Sequence, residues 1–204
     1  MIKEKYYDQV FHSQSHFRSV LDSMARPGKL NPVELIDINP VEGLRKSTAC
    51  IAFALINRDV SFQVLGFTGN VIDYIKANRN TELAPTEEAD FIITDGYPLP
   101  ETVEAAKEGI LTYPETSASI LAQIPGVSDT EINDSLKITL SGPGIATEKV
   151  VYFCGGKPEF FEALSFKNSE FPLGVDMIFT TYTAGNPVDE KILCIPRSSR
   201  IKIG

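Results

Sequence analysis

Between residues 60 and 124 the apolar spacing keeps changing period, and this limits the fold more than any single motif. "VSFQVLGF" sets Val60, Phe62 and Val64 against Ser61 and Gln63, the two-residue period of a strand. "GNVIDYIKANRN" (69–80) returns to helical spacing, and "DFIIT" (90–94) reads as a short buried strand. "PETVEAAKEG" (100–109) opens on proline, carries acids in its first turn and stops on glycine, which predicts a helix. "SASILAQI" (117–124) is a strand again. Alternating strands and helices bury their apolar faces by laying helices over a sheet.

The flanks extend this pattern. Tyr6, Val10, Phe17, Leu21 and Met24 predict an amphipathic helix within residues 6–24. "ARPG" (25–28) ends it, because proline cannot continue a helix and disfavours helical geometry at Arg26. "STACIAFALIN" (47–57) is apolar nearly all round and predicts a buried helix, with Ser47 or Thr48 as its cap. "SLKITL" (135–140), "VDMIFTTYT", "EKILCIP" and "SRIKI" predict strands, and "PEFFEALSF" (158–166) a short helix. The expectation is one α/β domain over residues 1–204, a mixed sheet flanked by helices in three layers.

Charge and cysteine usage exclude several function classes. The net charge is −8, with 27 acidic against 19 basic residues. Nucleic-acid binders gain affinity by neutralising phosphates, so no nucleic-acid partner is expected. Cys50, Cys154 and Cys194 lie in apolar runs without Cys-x-x-Cys spacing, as small buried hydrophobes in a reducing compartment do. The first residues, "MIKEKYYDQV", lack the apolar core of a secretory signal. The longest apolar run, Ala49 to Ile56, is too short to span a bilayer, so a cytoplasmic protein with no membrane partner is expected.

No complete catalytic constellation is present. "LSGPGIATE" (140–148) is half of a phosphate loop: Thr147 stands where a dinucleotide loop needs its third glycine, and Pro143 lacks an N–H. A turn is the stronger reading of Gly142 and Gly144, with an anion nest as the alternative. His12 and His16 would share a helix face and are weak metal candidates, since "HSQSH" lacks the zincin glutamate and there is no third histidine. There is no Gly-x-Ser-x-Gly elbow for a triad, and Asp95 and Glu115 sit in turn-like segments. Arg18, Arg26 and Arg197 could grip phosphate or phosphonate oxygens, or equally carboxylates at a subunit interface.

Five segments in order carry a resemblance: "FHSQSHFRSVLDSMARPG" (11–28), "YPETSAS" (113–119), "LSGPGI" (140–145), "FPLGVDMIF" (171–179) and "IPRSSRIKI" (195–203). Together they resemble PhnH, the H subunit of the bacterial carbon–phosphorus lyase complex, over nearly the whole chain. Ser117-Ala118-Ser119 departs from the family's frequent Gly-Ala-Thr, and Ser198-Ser199 from its two threonines.

The resemblance implies a role in phosphonate catabolism, in a complex that attaches an alkylphosphonate to the ribose of ATP in place of adenine. It implies an accessory or structural subunit that forms homodimers and assembles with the G, I and J subunits. The alternative is a contributor to the transferase step that binds phosphonate or ATP itself. It also implies a fold similar to the large domain of pyridoxal-phosphate-dependent transferases, without that cofactor. Lys157, beside Gly155-Gly156, has nothing else to mark it as a Schiff-base lysine, and no cofactor is expected.

Overall fold

The computed structural model describes residues 3–183 and 186–204. In chain order the elements are α1 (Phe11–Ala25), β1 (Asn31–Pro32), α2 (Lys46–Leu55), β2 (Ser61–Leu65), α3 (Val71–Arg79) and β3 (Glu82–Leu83). Next come β4 (Phe91–Asp95), α4 (Pro100–Ala105), β5 (Ser119–Gln123), β6 (Val127–Ser128) and β7 (Ser135–Ser141). β8 (Lys149–Cys154), α5 (Pro158–Lys167), β9 (Asp176–Thr183), β10 (Asn186–Ile195) and β11 (Arg200–Ile203) follow.

The sheet is mixed, as the alternating periods predicted. β2, β4, β5 and β9 run parallel, and β10 returns antiparallel beside β9. β8, β7 and β11 form an antiparallel ladder joined to β9 through β6. Side-chain alternation sends successive residues to opposite faces. Ile92, Ile120, Ala122, Met177 and Phe179 pack with Val103 of α4 and Phe160, Phe161 and Leu164 of α5. Ile93, Leu121 and Ile178 pack on the other face with Val20 of α1, Ile51 and Phe53 of α2, and Ile75 of α3. The layers are therefore helix, sheet, helix.

Several sequence expectations need correction. Most of the α1 stripe is turned outward: Val10 is 72% exposed and Phe17 and Leu21 are exposed, whereas Met24 packs against the core and His16, Val20 and Ser23 face inward. The inward polar groups find partners there, so hydrogen bonding rather than hydropathy sets the helix's rotation. Its start is also later than residue 6. Asp8 Oδ1 accepts from the Val10 and Phe11 N–H groups at 2.8 Å each, and the Asp8 N–H donates to His12 Nδ1 at 2.8 Å. This reciprocal arrangement satisfies N–H groups that an earlier helix start would have used differently.

Ser47 and Thr48 do not cap α2; they are buried within its first turn. Its free N–H groups instead meet distant acceptors: the Arg45 N–H donates to Gln123 Oε1 at 2.8 Å and the Ser47 N–H to Glu190 Oε2 at 2.9 Å. The helix in 100–109 covers only Pro100–Ala105. β8 was not foreseen, because "KVVYFC" is continuously apolar after its lysine and shows no two-residue period. Cys50 and Cys194 are buried as expected, whereas Cys154 is only partly so.

Candidate functional site

The five ordered segments, remote in sequence, meet at one edge of the sheet. It is the edge where the parallel strands β5 and β9 begin and the antiparallel β10 ends. Ser141 closes β7, and Gly142-Pro143-Gly144-Ile145 turns the chain, with the Ile145 N–H donating to the Gly142 oxygen at 3.1 Å. Proline second and a glycine at φ 82° third are what a type II turn demands. Gly142 and Gly144 therefore shape a turn.

Close approach explains the two glycines further. A Cβ on Gly144 would lie 2.3 Å from the Ala25 oxygen, at the end of α1. A Cβ on Gly142, at φ 125°, would lie 2.9 Å from the Ser198 oxygen. The turn is thus wedged between "ARPG" and "PRSSR".

Arg197 joins the remaining segments. Its Nε donates to Asp176 Oδ1 at 3.2 Å, its Nη2 to Asp176 Oδ2, and its own backbone N–H to Oδ1 at 2.8 Å. Its Nη1 donates to the Pro114 oxygen at 2.8 Å. The guanidinium fork is thus filled by a carboxylate and a carbonyl of the same chain.

The other arginines stand apart. Arg26 pairs with Asp22, one turn back on α1, and Lys29 meets the same carboxylate at 2.7 Å. Arg26 borders a cavity of about 410 Å3 with Gly144, Asp129 and Lys149. Arg197 borders depressions on the far side of Pro143. Arg18 lies exposed on α1 and borders neither. The three candidate arginines therefore do not converge on one cavity.

His12 and His16 bracket Tyr7, each ring centroid 5.7 Å from the tyrosine ring. The Tyr7 hydroxyl meets His16 Nδ1 at 3.1 Å, and His16 Nε2 meets the Glu34 oxygen at 2.7 Å. A carbonyl only accepts, so Nε2 carries a proton, while the Tyr7 hydroxyl faces both Nδ1 and a second acceptor, the Cys50 oxygen at 3.2 Å. Burial lowers the His16 pKa below its ordinary 6.5, ahead of the opposing Glu34 contacts, and pushes Tyr7 up to about 12. His12 Nδ1 is engaged with the Asp8 N–H. Among the described residues no group of three His, Cys, Asp or Glu side chains is placed to hold a metal.

Open α/β sheets usually bind ligands beyond the carboxyl ends of their strands. That edge is filled here. Gln123, ending β5, donates through Nε2 to the Gly43 oxygen at 2.8 Å and to Asp95 at 3.1 Å. Thr48 meets Gln123 at 2.9 Å and Thr180 at 2.7 Å, and Arg45 Nη1 donates to the Ile124 oxygen at 2.6 Å. Asp95 belongs to this network. Glu115 stays exposed at the opposite edge, and Lys157 immediately precedes α5 with its side chain exposed.

Asp176, Gln123 and Thr180 were missed as site residues. The available signal was Asp176 itself, a lone acid opening an apolar strand inside "FPLGVDMIF".

The profile of the family described as bacterial phosphonate metabolism protein (PhnH) matches residues 4–202. The chain belongs to the PhnH family. It is 23% identical over 202 residues to a putative C-P lyase subunit protein HtxG of Stutzerimonas stutzeri, covering 96% of this chain and 88% of that one. It is 24% identical over 199 residues to the alpha-D-ribose 1-methylphosphonate 5-triphosphate synthase subunit PhnH of Rhizobium meliloti (strain 1021), covering 96% and 92%. Membership places the chain in phosphonate metabolism. No helix among the described residues is long and apolar enough to cross a membrane.

Proposed function

We propose that this chain is a cytoplasmic accessory subunit of a carbon–phosphorus lyase complex, one family domain spanning residues 1–204. In this reading it assembles with the G, I and J subunits and is a homodimer when isolated. It supports transfer of an alkylphosphonate to the ribose of ATP with loss of adenine, without a cofactor of its own. The fold's likeness to the large domain of pyridoxal-phosphate-dependent transferases belongs to the same reading.

One observation carries it. Where the five segments meet, Arg197 is held by Asp176 and Pro114, and the Gly142–Gly144 turn lies too close to Ala25 and Ser198 to admit a side chain. Such a junction holds a surface in shape. Co-expression with the G, I and J subunits tests the proposal, with co-elution as the expected result. If the other three assemble while this chain stays alone, the reading fails.

A ligand-binding contribution to the transferase step is favoured by Ser199. Its Oγ is buried without a hydrogen-bond partner among the described residues, and it borders a depression of about 480 Å3 with Arg197, Ser198 and Arg200. Titration calorimetry with ATP and with methylphosphonate tests this. Heat that disappears in Ser199→Ala supports it, and no heat from the wild type, free or in the complex, removes it.

A further inference from the structure

We infer that the edge around Phe166 and Phe171 is the surface on which a partner subunit with a basic rim and an apolar centre docks. The inference rests on the assembly role proposed above and names the surface that serves it.

Three shallow depressions lie in a row here. The first, about 410 Å3, is bordered by Glu104, Phe166, Lys167 and Glu170. Ser169 is shared with the second, and Phe171 joins the second to the third. The third, about 450 Å3, is bordered by Pro114, Pro143, Pro172 and Pro196, drawn from four of the five converging segments. The family's signature residues thus build this surface as well as the junction beneath it.

Large apolar side chains stand exposed at this edge, as they do on α1. Phe166 is 79% exposed, Phe171 65%, and Leu111, in the loop leading to Pro114, 74%. Aromatic side chains held in water beside a proline-walled groove mark an interaction site.

Charge selects the occupant. Lys167 Nζ is engaged by the Glu104 oxygen at 2.8 Å and by Glu108 at 3.2 Å, and Arg197 by Asp176. Glu104, Glu115 and Glu170 are exposed and carry no ion pair among the described residues, against one unpaired cation, Arg200. The rim is therefore negative and unneutralised. A second copy of this chain, itself at −8, brings like charge, whereas lysines or arginines around an apolar centre answer both features. The outward stripe of α1 differs, because Arg18 is the charge among Val10, Phe17 and Leu21. That helix serves as the control surface.

The test uses the full chain co-expressed with the G, I and J subunits. Phe166→Glu combined with Phe171→Glu is expected to lower co-elution at least about tenfold, while Phe17→Glu with Leu21→Glu changes it less than about twofold. Glu104→Lys with Glu170→Lys keeps the aromatic residues. It is expected to weaken assembly at low salt, with the difference shrinking as salt screens the rim. Circular dichroism and melting confirm folding, and the charge-reversal pair decides if the aromatic pair unfolds. Wild-type co-elution by the deciding variant overturns the surface and leaves the assembly role standing. Failure of the wild type itself to co-elute removes both. A changed oligomeric state of the isolated edge variant identifies a second copy as the occupant and also overturns the inference.

Discussion

Arg197 and Asp176 form a two-pronged ion pair in which the arginine's own backbone N–H adds a third bond to the same carboxylate. Their side chains are 14% and 21% exposed, so each charge depends on the other for much of its solvation. Arg197→Met is expected to cost about 3 kcal/mol, because an uncompensated carboxylate is left behind. Arg197→Lys should recover part of this, since an ammonium cannot reproduce the fork. Urea unfolding reads both values, and a loss below about 0.5 kcal/mol for Arg197→Met would mean the pair is no better than a surface bridge.

Gly144→Ala forces a side chain onto φ 82° and toward the Ala25 oxygen at 2.3 Å. Backbone strain and the clash together are expected to cost roughly 2 kcal/mol or more. Pro143→Ala should cost under about 1 kcal/mol, since it frees only the unfolded chain. Thermal melting of the two variants checks the order, and equal shifts would contradict the wedged turn.

Acid is expected to weaken the protein through His16. Its folded pKa lies below 6.5 because burial disfavours the charged ring. Below about pH 6.5 the unfolded chain binds a proton that the folded chain refuses. This contribution is therefore complete above that pH and is lost as the pH falls, by at most about 1.4 kcal/mol per unit. His16→Gln removes the titration, so its unfolding free energy should fall less steeply than the wild type's between pH 7 and pH 5. Parallel curves would show that His16 is not the titrating group.

The three thiols should react at different rates. Burial raises the Cys50 thiol to about 11 and raises Cys194 further, while Cys154 is only half-buried. Thiolate, not thiol, attacks a disulfide reagent, so Cys154 is expected to label first at pH 8. Cys50 and Cys194 should wait for denaturant. Rapid native labelling of Cys50 would place it nearer the surface.

Most elements could be read along the chain because period is a local property. The strands at Ser61–Leu65, Ser119–Gln123 and Ser135–Ser141 and the helix at Val71–Arg79 follow from spacing and end signals alone. β8 could not be found this way, since a continuous apolar run suits a strand or a buried helix equally. The rotation of α1 was also hidden. Its apolar stripe suggested a core face, but Tyr7 and Glu34 satisfy His16, and Asn31 satisfies Ser23, only on the inner side.

The sequence by itself determined the α/β class, the mixed sheet, the turn at Gly142–Gly144 and, through five ordered segments, the family. Each rests on neighbouring residues or on order along the chain. Only the tertiary structure decided what those segments do together. Arg197 could have met a phosphate, a carboxylate or only water on sequence grounds, and sheet pairing brought it to Asp176, 21 positions away, and to Pro114, 83 away. Antiparallel return of β10 beside β9 fixes that meeting, and strand register is set by the whole packed sheet rather than by any local run of residues.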